Sequence, residues 1–180
     1  MVYIFLADGF EETEALLPLD ILRRGGVEVK TVGVTGKTVT GAHNISVIAD
    51  LAAEETDKNS IEAIILPGGM PGTLNLENSS FVQDFIDYAA RKNLLICAIC
   101  AAPSILGHKG LTKGKTAVCY PGMEAHLEGA IIGNTLSVTD GNLITGKGPG
   151  AAAPFGFAIL EKLKGKETSL KVQNEMCFKG

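Results

Sequence analysis

Leu94-Leu95-Ile96-Cys97-Ala98-Ile99-Cys100-Ala101-Ala102-Pro103 is an apolar run that ends in a cysteine flanked on both sides by very small residues. It has the form of a nucleophile elbow, in which a buried strand turns abruptly into a helix. The apex residue then takes a strained conformation that leaves no room for large side chains two positions away, and Ala98 and Ala102 meet that condition. Pro103 suits the first turn of the following helix. A thiol at such a corner lies near the first backbone N–H groups of the helix, whose positive dipole end favours thiolate. Cys100 is therefore the first candidate for chemistry, set against the ordinary reading of a cysteine in an apolar run as core. Cys97 completes a C-x-x-C pattern, but it falls inside the strand, where alternation is expected to point it away from Cys100.

The chain has 180 residues, 46% hydrophobic and 20% charged, with 22 glycines. That length supports one well-buried core, and a single domain over 1–180 is expected. A net charge of -4, with no basic cluster, argues against a nucleic-acid or anionic-membrane surface and favours a small molecule or a protein as partner. Residues 2–7 are apolar but are followed at once by Asp8, Glu11, Glu12 and Glu14, which fits neither a signal peptide nor a membrane span. Cys97, Cys100, Cys119 and Cys177 are spread out without zinc spacing, so free thiols in a reducing, cytoplasmic setting are expected.

Outward from the elbow, strand and helix patterns alternate. The spacing predicts strands at Val2–Ala7, Val27–Val34 and Ala63–Leu66, and helices near Glu12–Arg24, Ser80–Arg91 and Ala151–Leu163. A peripheral hairpin is expected around Gly41-Ala42, and short strands at Thr116–Cys119, Thr135–Val138 and Leu143–Thr145. Such a rhythm implies a flavodoxin-like α/β three-layer sandwich with a mostly parallel central sheet. Sites in these folds lie at the carboxyl ends of the strands. Three loops meet there: the acidic segment Ala7 to Glu14, the glycine-rich turn Pro67 to Gly72, and the elbow. The turn can offer N–H groups to an oxyanion, while any of Glu11, Glu12 and Glu14 is a candidate to face inward.

The combination Ala7-Asp8-Gly9-Phe10-Glu11-Glu12-Thr13-Glu14, Leu66-Pro67-Gly68-Gly69, Ala98-Ile99-Cys100-Ala101-Ala102-Pro103 and Gly148-Pro149-Gly150 resembles the ThiJ/PfpI superfamily over essentially the whole chain. Within it the motifs look most like the branch of the parkinsonism-associated protein deglycase and bacterial YajL. The resemblance implies a homodimer and a cysteine nucleophile, Cys100, paired with a glutamate, Glu14. Gly69 and the N–H of Ala101 match the oxyanion-binding positions, and Glu11 and Glu12 are left as first-turn acids that favour the helix dipole.

It also implies a glyoxalase or deglycase that needs no cofactor or metal and acts on small α-oxoaldehydes or their glycation adducts. The competing reading is a redox sensor or holdase chaperone whose Cys100 is oxidised to sulfinate. One departure stands out: the branch places histidine before the proline that aligns with Pro121, and here Tyr120 stands there. A phenol, with a reference pKa of about 10, is a poor base at neutral pH and is expected only to hydrogen-bond to substrate. PfpI-type peptidases carry a histidine directly after the nucleophile; Ala101 occupies that position, so a peptidase is not expected. His43, His108 and His126 read as surface residues.

Overall fold

The structure, a computed structural model, describes residues 1–178. β1 (Val2–Leu6) leads into α1 (Glu12–Arg24) and then β2 (Val29–Gly33). β3 (Thr38–Thr40) and β4 (Ser46–Ile48) form a hairpin, followed by β5 (Leu51–Ala52), β6 (Ala63–Leu66), α2 (Gly72–Asn78) and α3 (Ser80–Arg91). After β7 (Leu95–Ile99) and α4 (Pro103–His108) come the short strands β8 (Thr116–Ala117) and β9 (Ile131–Ile132). β10 (Ser137–Asp140), β11 (Leu143–Gly146), α5 (Ala152–Lys164) and α6 (Lys166–Glu175) complete the described elements.

Seven strands form the central sheet in the order β10-β11-β7-β6-β1-β2-β5, with β10 antiparallel to its neighbour and the other pairs parallel. Strands buried on both faces read as continuous apolar runs, and period-2 alternation divides their side chains between two layers. Val2, Ile4, Leu6, Cys97 and Ile99 pack under α1, α5 and α6, with Ile21, Phe155 and Val172. Tyr3, Phe5, Ile64, Leu66, Ile96 and Ala98 face α2, α3 and α4, with Leu76, Phe85 and Ile105. The result is the flavodoxin-like three-layer sandwich.

Helix α1 packs closely on α5. A Cβ on Gly156 would stand 2.8 Å from Ile21 Cδ1 and 3.1 Å from Pro18 Cα, so a larger residue there would have to displace Ile21 and ease the two helices apart. Part of the apolar excess of α1 is thus covered within the chain: Ala15, Pro18, Ile21 and Leu22 are buried, while Leu16, Leu17 and Leu19 stay half-buried.

Several elements differ from the sequence expectation. α2, α6, β5 and β9 were not foreseen, because two-residue strands carry no alternation and α6 buries only Ser169 and Val172. The hairpin is not peripheral. Gly9 N–H donates to Thr40 O at 2.8 Å, Ala42 N–H to Phe10 O at 2.8 Å and Thr40 N–H to the Asp8 carboxylate at 2.8 Å, which docks it on the loop after β1. Sheet order places the topological switch between β1 and β6, whose neighbours on either side run in opposite chain order. The loops after β1, β6, β7 and β11 converge on that edge.

Candidate active site

Cys100 sits immediately after β7 with φ of 66°, in the left-handed region that a side chain with a Cβ enters at a cost of about 1 kcal/mol or more. Its backbone is held from both sides. The Cys100 N–H donates to Gly146 O at 2.9 Å, and its carbonyl accepts from the Tyr120 N–H at 2.7 Å. Ser104, in the first turn of α4, donates its hydroxyl to Ala101 O at 2.7 Å, closing the corner. Ala101 and Ala102 are buried, as the elbow requires.

Glu14 enters from the first turn of α1 and is fully buried. Its Oε2 accepts the Gly68 N–H at 2.9 Å, while the Gly68 carbonyl accepts the Glu11 N–H at 2.9 Å. The peptide of Gly68 is therefore gripped from above and below by the start of α1. A Cβ at Gly68 would stand 2.6 Å from both Glu14 Oε2 and Cys100 Cβ, so this glycine lets carboxyl and thiol share one pocket. Gly69, with φ of 90°, leaves no space for a side chain against the Glu11 backbone. The N–H groups of Gly69 and Ala101 both act on the Cys100 sulfur. Glu14 Oε1 has no N, O or S partner of hydrogen-bonding geometry.

These contacts set the protonation of the pair. Burial raises the Glu14 carboxyl to about 7, assisted by the nearby Glu11 charge; the Cys100 thiol and the Gly68 N–H work in the opposite direction. Burial also pushes the Cys100 thiol up, to about 12, and the Glu14 carboxylate reinforces the rise against the pull of the Gly69 and Ala101 N–H groups. The expected thiolate is thus corrected: α4 spans only Pro103–His108, and its dipole is outweighed by desolvation and by the negative carboxylate. Two adjacent negative charges are disfavoured, so one of the two groups stays protonated at neutral pH.

Cys97 is fully buried, and burial holds its thiol well above the usual range. It belongs to the same apolar layer as Cys100, because the positive φ at Cys100 breaks the strand alternation; the expectation that Cys97 faces away is corrected. Both thiols are free. Cys119 is also buried, its thiol raised to about 11 by burial and by Glu124, with Lys147 drawing it down.

Glu11 and Glu12 do more than favour the α1 dipole. Glu12 is buried; its Oε1 accepts the His43 N–H at 2.8 Å and its Oε2 contacts His43 Nδ1 at 2.8 Å, clasping the hairpin to α1. Donor atoms of Glu11, Glu12 and His43 lie within 4.8 Å of one another, but His43 already occupies both Glu12 oxygens. His108 and His126 lie at the surface as expected, joined Nε2 to Nδ1 at 2.9 Å, with Glu77 on the other His108 nitrogen. Among the described residues the groups acting on the Cys100 thiol are Glu14, Gly69 and Ala101, and no imidazole is one of them.

Tyr120 packs its ring over Gly148 and remains 49% exposed, at the side of an open pocket of about 260 Å³. Sequence reasoning missed Gly68, whose N–H orients Glu14, although it stood inside the Pro67-Gly68-Gly69 motif. It also missed the Glu12–His43 clasp, whose partners are 31 residues apart.

A parallel sandwich with a cysteine on a strand-to-helix elbow, beside a buried glutamate and two converging N–H groups, defines a class of cysteine-centred α/β proteins. The chain belongs to the DJ-1/PfpI family, whose model matches residues 1–162. It is 35% identical to protein dj-1beta of Drosophila melanogaster over 167 residues, covering 91% of this chain and 89% of that protein. The crystal structure of Drosophila melanogaster DJ-1beta superimposes with a TM-score of 0.93 at 33% identity, over 99% of this chain and 98% of the other. The glutathione-independent glyoxalase DJR-1.2 of Caenorhabditis elegans is 29% identical over 170 residues, 93% of this chain and 90% of that protein.

Proposed function

We propose that this protein is a cofactor-independent glyoxalase, with Cys100 as nucleophile and Glu14 as its acid–base partner. The observation that carries the reading is the enclosed Glu14–Cys100 pair, with a carboxyl near 7 next to a thiol that cannot ionise alone. A base with a pKa near the working pH is the efficient choice for general catalysis. The name of the nematode relative, a glutathione-independent glyoxalase, supports the same chemistry.

In the first step Glu14 takes the Cys100 proton as the sulfur attacks the aldehyde carbon of an α-oxoaldehyde. The C=O π bond breaks, and the oxyanion forms against the N–H groups of Gly69 and Ala101. Protonated Glu14 then gives its proton to that oxygen, forming a hemithioacetal. The regenerated carboxylate removes the proton from the former aldehyde carbon, giving an enediolate, and returns it to the adjacent carbon, while the hydroxyl proton of the former aldehyde oxygen passes to the ketone oxygen; the first carbon becomes a carbonyl and the second the hydroxyl-bearing centre. The product at this stage is a thioester on Cys100. Water cleaves the thioester, releasing a 2-hydroxy acid and returning the thiol. For methylglyoxal the product is lactate. On a glycation adduct the same attack expels the amine, which is the deglycase version of the reaction.

A second reading is favoured by the buried, unpartnered Glu14 Oε1. A protonated carboxyl there is placed to donate to an oxygen of Cys100 sulfinate, the product expected of a redox sensor. The working unit in either case is proposed to be a homodimer of one-domain chains, with half-buried Leu16, Leu17 and Leu19 of α1 and exposed Ile45 and Ile48 of the hairpin region as its apolar contacts. Lactate formation from methylglyoxal without glutathione, lost in Cys100→Ala, separates an enzyme from a sensor.

A further inference from the structure

Two of the three histidines stand together on the surface, apart from the elbow thiol. His108 closes α4, and His126 closes the short 3-10 turn Glu124–His126. Gly107 sets their separation: a Cβ there would stand 1.9 Å from the His126 carbonyl oxygen, so the end of α4 rests directly on the backbone of the turn. Leu127, the next residue, is buried with Ala117 and Cys119 and anchors the turn.

The two side chains converge as metal ligands do. His108 Nε2 and His126 Nδ1 lie 2.9 Å apart with one proton between them, and the rings are inclined by 74° rather than stacked, so each can aim an in-plane nitrogen at a common point. Nitrogens at about 2.0–2.1 Å from one tetrahedral ion stand about 3.3 Å apart, so the pair has only to open by a few tenths of an ångström. On the far side of the His108 ring, Glu77 of α2 contacts Nδ1. A carboxylate on the distal nitrogen is the usual outer partner of a metal-bound imidazole; it fixes the tautomer and leaves Nε2 as the ligand atom. The His108 side chain is 44% exposed, and the open cleft that it lines with Gly107, Lys113 and Glu128 admits water to the remaining positions.

The structure assigns to this corner a site for a divalent transition ion of the Zn²⁺ type, with His108 Nε2 and His126 Nδ1 as ligands, water completing the shell and Glu77 as a positioning residue. Paired imidazoles select such ions over Mg²⁺ and Ca²⁺, which take oxygen ligands. The ion replaces the shared proton, which leaves to solvent. Once bound, it joins the helix that leaves the elbow to the segment that follows Tyr120, whose N–H holds the Cys100 carbonyl at 2.7 Å. It staples the frame of the elbow and takes no part in the Glu14–Cys100 chemistry.

Calorimetric titration of Zn²⁺ into the reduced, metal-stripped full chain tests the site, with His108→Ala, His126→Ala, Glu77→Gln and His43→Ala beside the wild type and Mg²⁺ as the comparison ion. Zn²⁺ is expected to bind the wild type and Mg²⁺ not. Affinity should fall about 10- to 100-fold in Glu77→Gln, and by at least as much in each of His108→Ala and His126→Ala. His43→Ala, which removes the imidazole of the Glu11–Glu12–His43 cluster, should leave it unchanged. Histidine-selective ¹⁵N NMR of the wild type reads the ligands directly: His108 Nε2 and His126 Nδ1 should shift together as the ion is added. No Zn²⁺ binding, an affinity unmoved by either of the two histidine substitutions, or shifts confined to His43 would overturn the site. Full affinity in Glu77→Gln would strike Glu77 from it.

Discussion

Glu14 and Cys100 face each other across Gly68: a single Cβ placed on that glycine would lie 2.6 Å from the Glu14 Oε2 and 2.6 Å from the Cys100 Cβ. The carboxyl and the thiol come from chain positions 86 residues apart, Glu14 and Cys100, and the smallest residue type keeps them together. Gly68→Ala is accordingly expected to remove nearly all turnover and to cost about 1–3 kcal/mol of stability through overpacking. Activity and denaturant unfolding measured on the same variant check both; full activity in Gly68→Ala contradicts the shared pocket.

Ionisation of Glu14 has a pH signature. Its carboxyl lies near 7 in the folded chain against an ordinary 4.5, so the folded state holds the proton more tightly than the unfolded one. The stability this contributes is fully present below about pH 4.5 and is lost as pH rises through about 7, on the order of 3 kcal/mol in all. Glu14→Gln cannot titrate, so its unfolding free energy should fall less than that of the wild type between pH 4.5 and 7.5. Parallel slopes for the two proteins contradict a buried, raised carboxyl at this position. In activity the sign reverses under the proposed mechanism, in which the carboxylate acts as base: kcat/KM should drop about tenfold per pH unit below 7.

Glu12 predicts a structural effect without a chemical one of its own. Its oxygens hold both the His43 N–H and Nδ1, and Glu12→Ala removes both contacts from an otherwise exposed histidine. A loss of about 0.5–1.5 kcal/mol is expected, with faster amide exchange across residues 41–45 measured by mass spectrometry. Unchanged exchange there would show that the hairpin is held by its backbone bonds to Gly9 and Phe10 alone.

The elbow was legible in the sequence because its constraint is local: a strained apex admits only small neighbours, and Ala98, Ala101 and Ala102 satisfy it visibly. The parallel sheet was legible for a similar reason, since strands buried on both faces read as short apolar runs. The glutamates were not separable by pattern. Glu11, Glu12 and Glu14 share one helical turn, and only the folded chain shows Glu14 fully buried against Gly68 and Glu12 occupied by His43. The thiolate expectation failed on the same ground. A helix dipole can be placed from sequence, whereas the desolvation and the facing carboxylate that outweigh it are tertiary. Polar α6 escaped because it buries too little to print a period.

Cys97 and Cys100 should separate cleanly. Cys97→Ser places a hydroxyl in a fully buried apolar layer and is expected to cost about 1–3 kcal/mol of stability while retaining most turnover. Under mild peroxide, with the adjacent Glu14 carboxylate placed to take the thiol proton as the sulfur reacts, peptide mass spectrometry should find sulfinate at Cys100 before Cys119 is modified. A Cys97–Cys100 disulfide as first product contradicts the assignment and makes the C-x-x-C pair the reactive unit.

A homodimer should scatter light at twice the chain mass of 18.8 kDa at micromolar concentration. Leu16→Glu, on the half-buried face of α1, should shift that mass toward the monomer while leaving the secondary structure intact. Monomer mass for the wild type contradicts the assembly.

The central claim is that Glu14 and Cys100 together turn over an α-oxoaldehyde without a cofactor. The measurement that reaches it most directly is lactate production from methylglyoxal in glutathione-free, metal-chelated buffer by the wild type, Cys100→Ser and Glu14→Gln. Steady lactate formation by the wild type is predicted, with none above background in Cys100→Ser and a decrease of about 10²- to 10⁴-fold in Glu14→Gln. Lactate formation that survives Cys100→Ser, or a wild type that makes none, would contradict it.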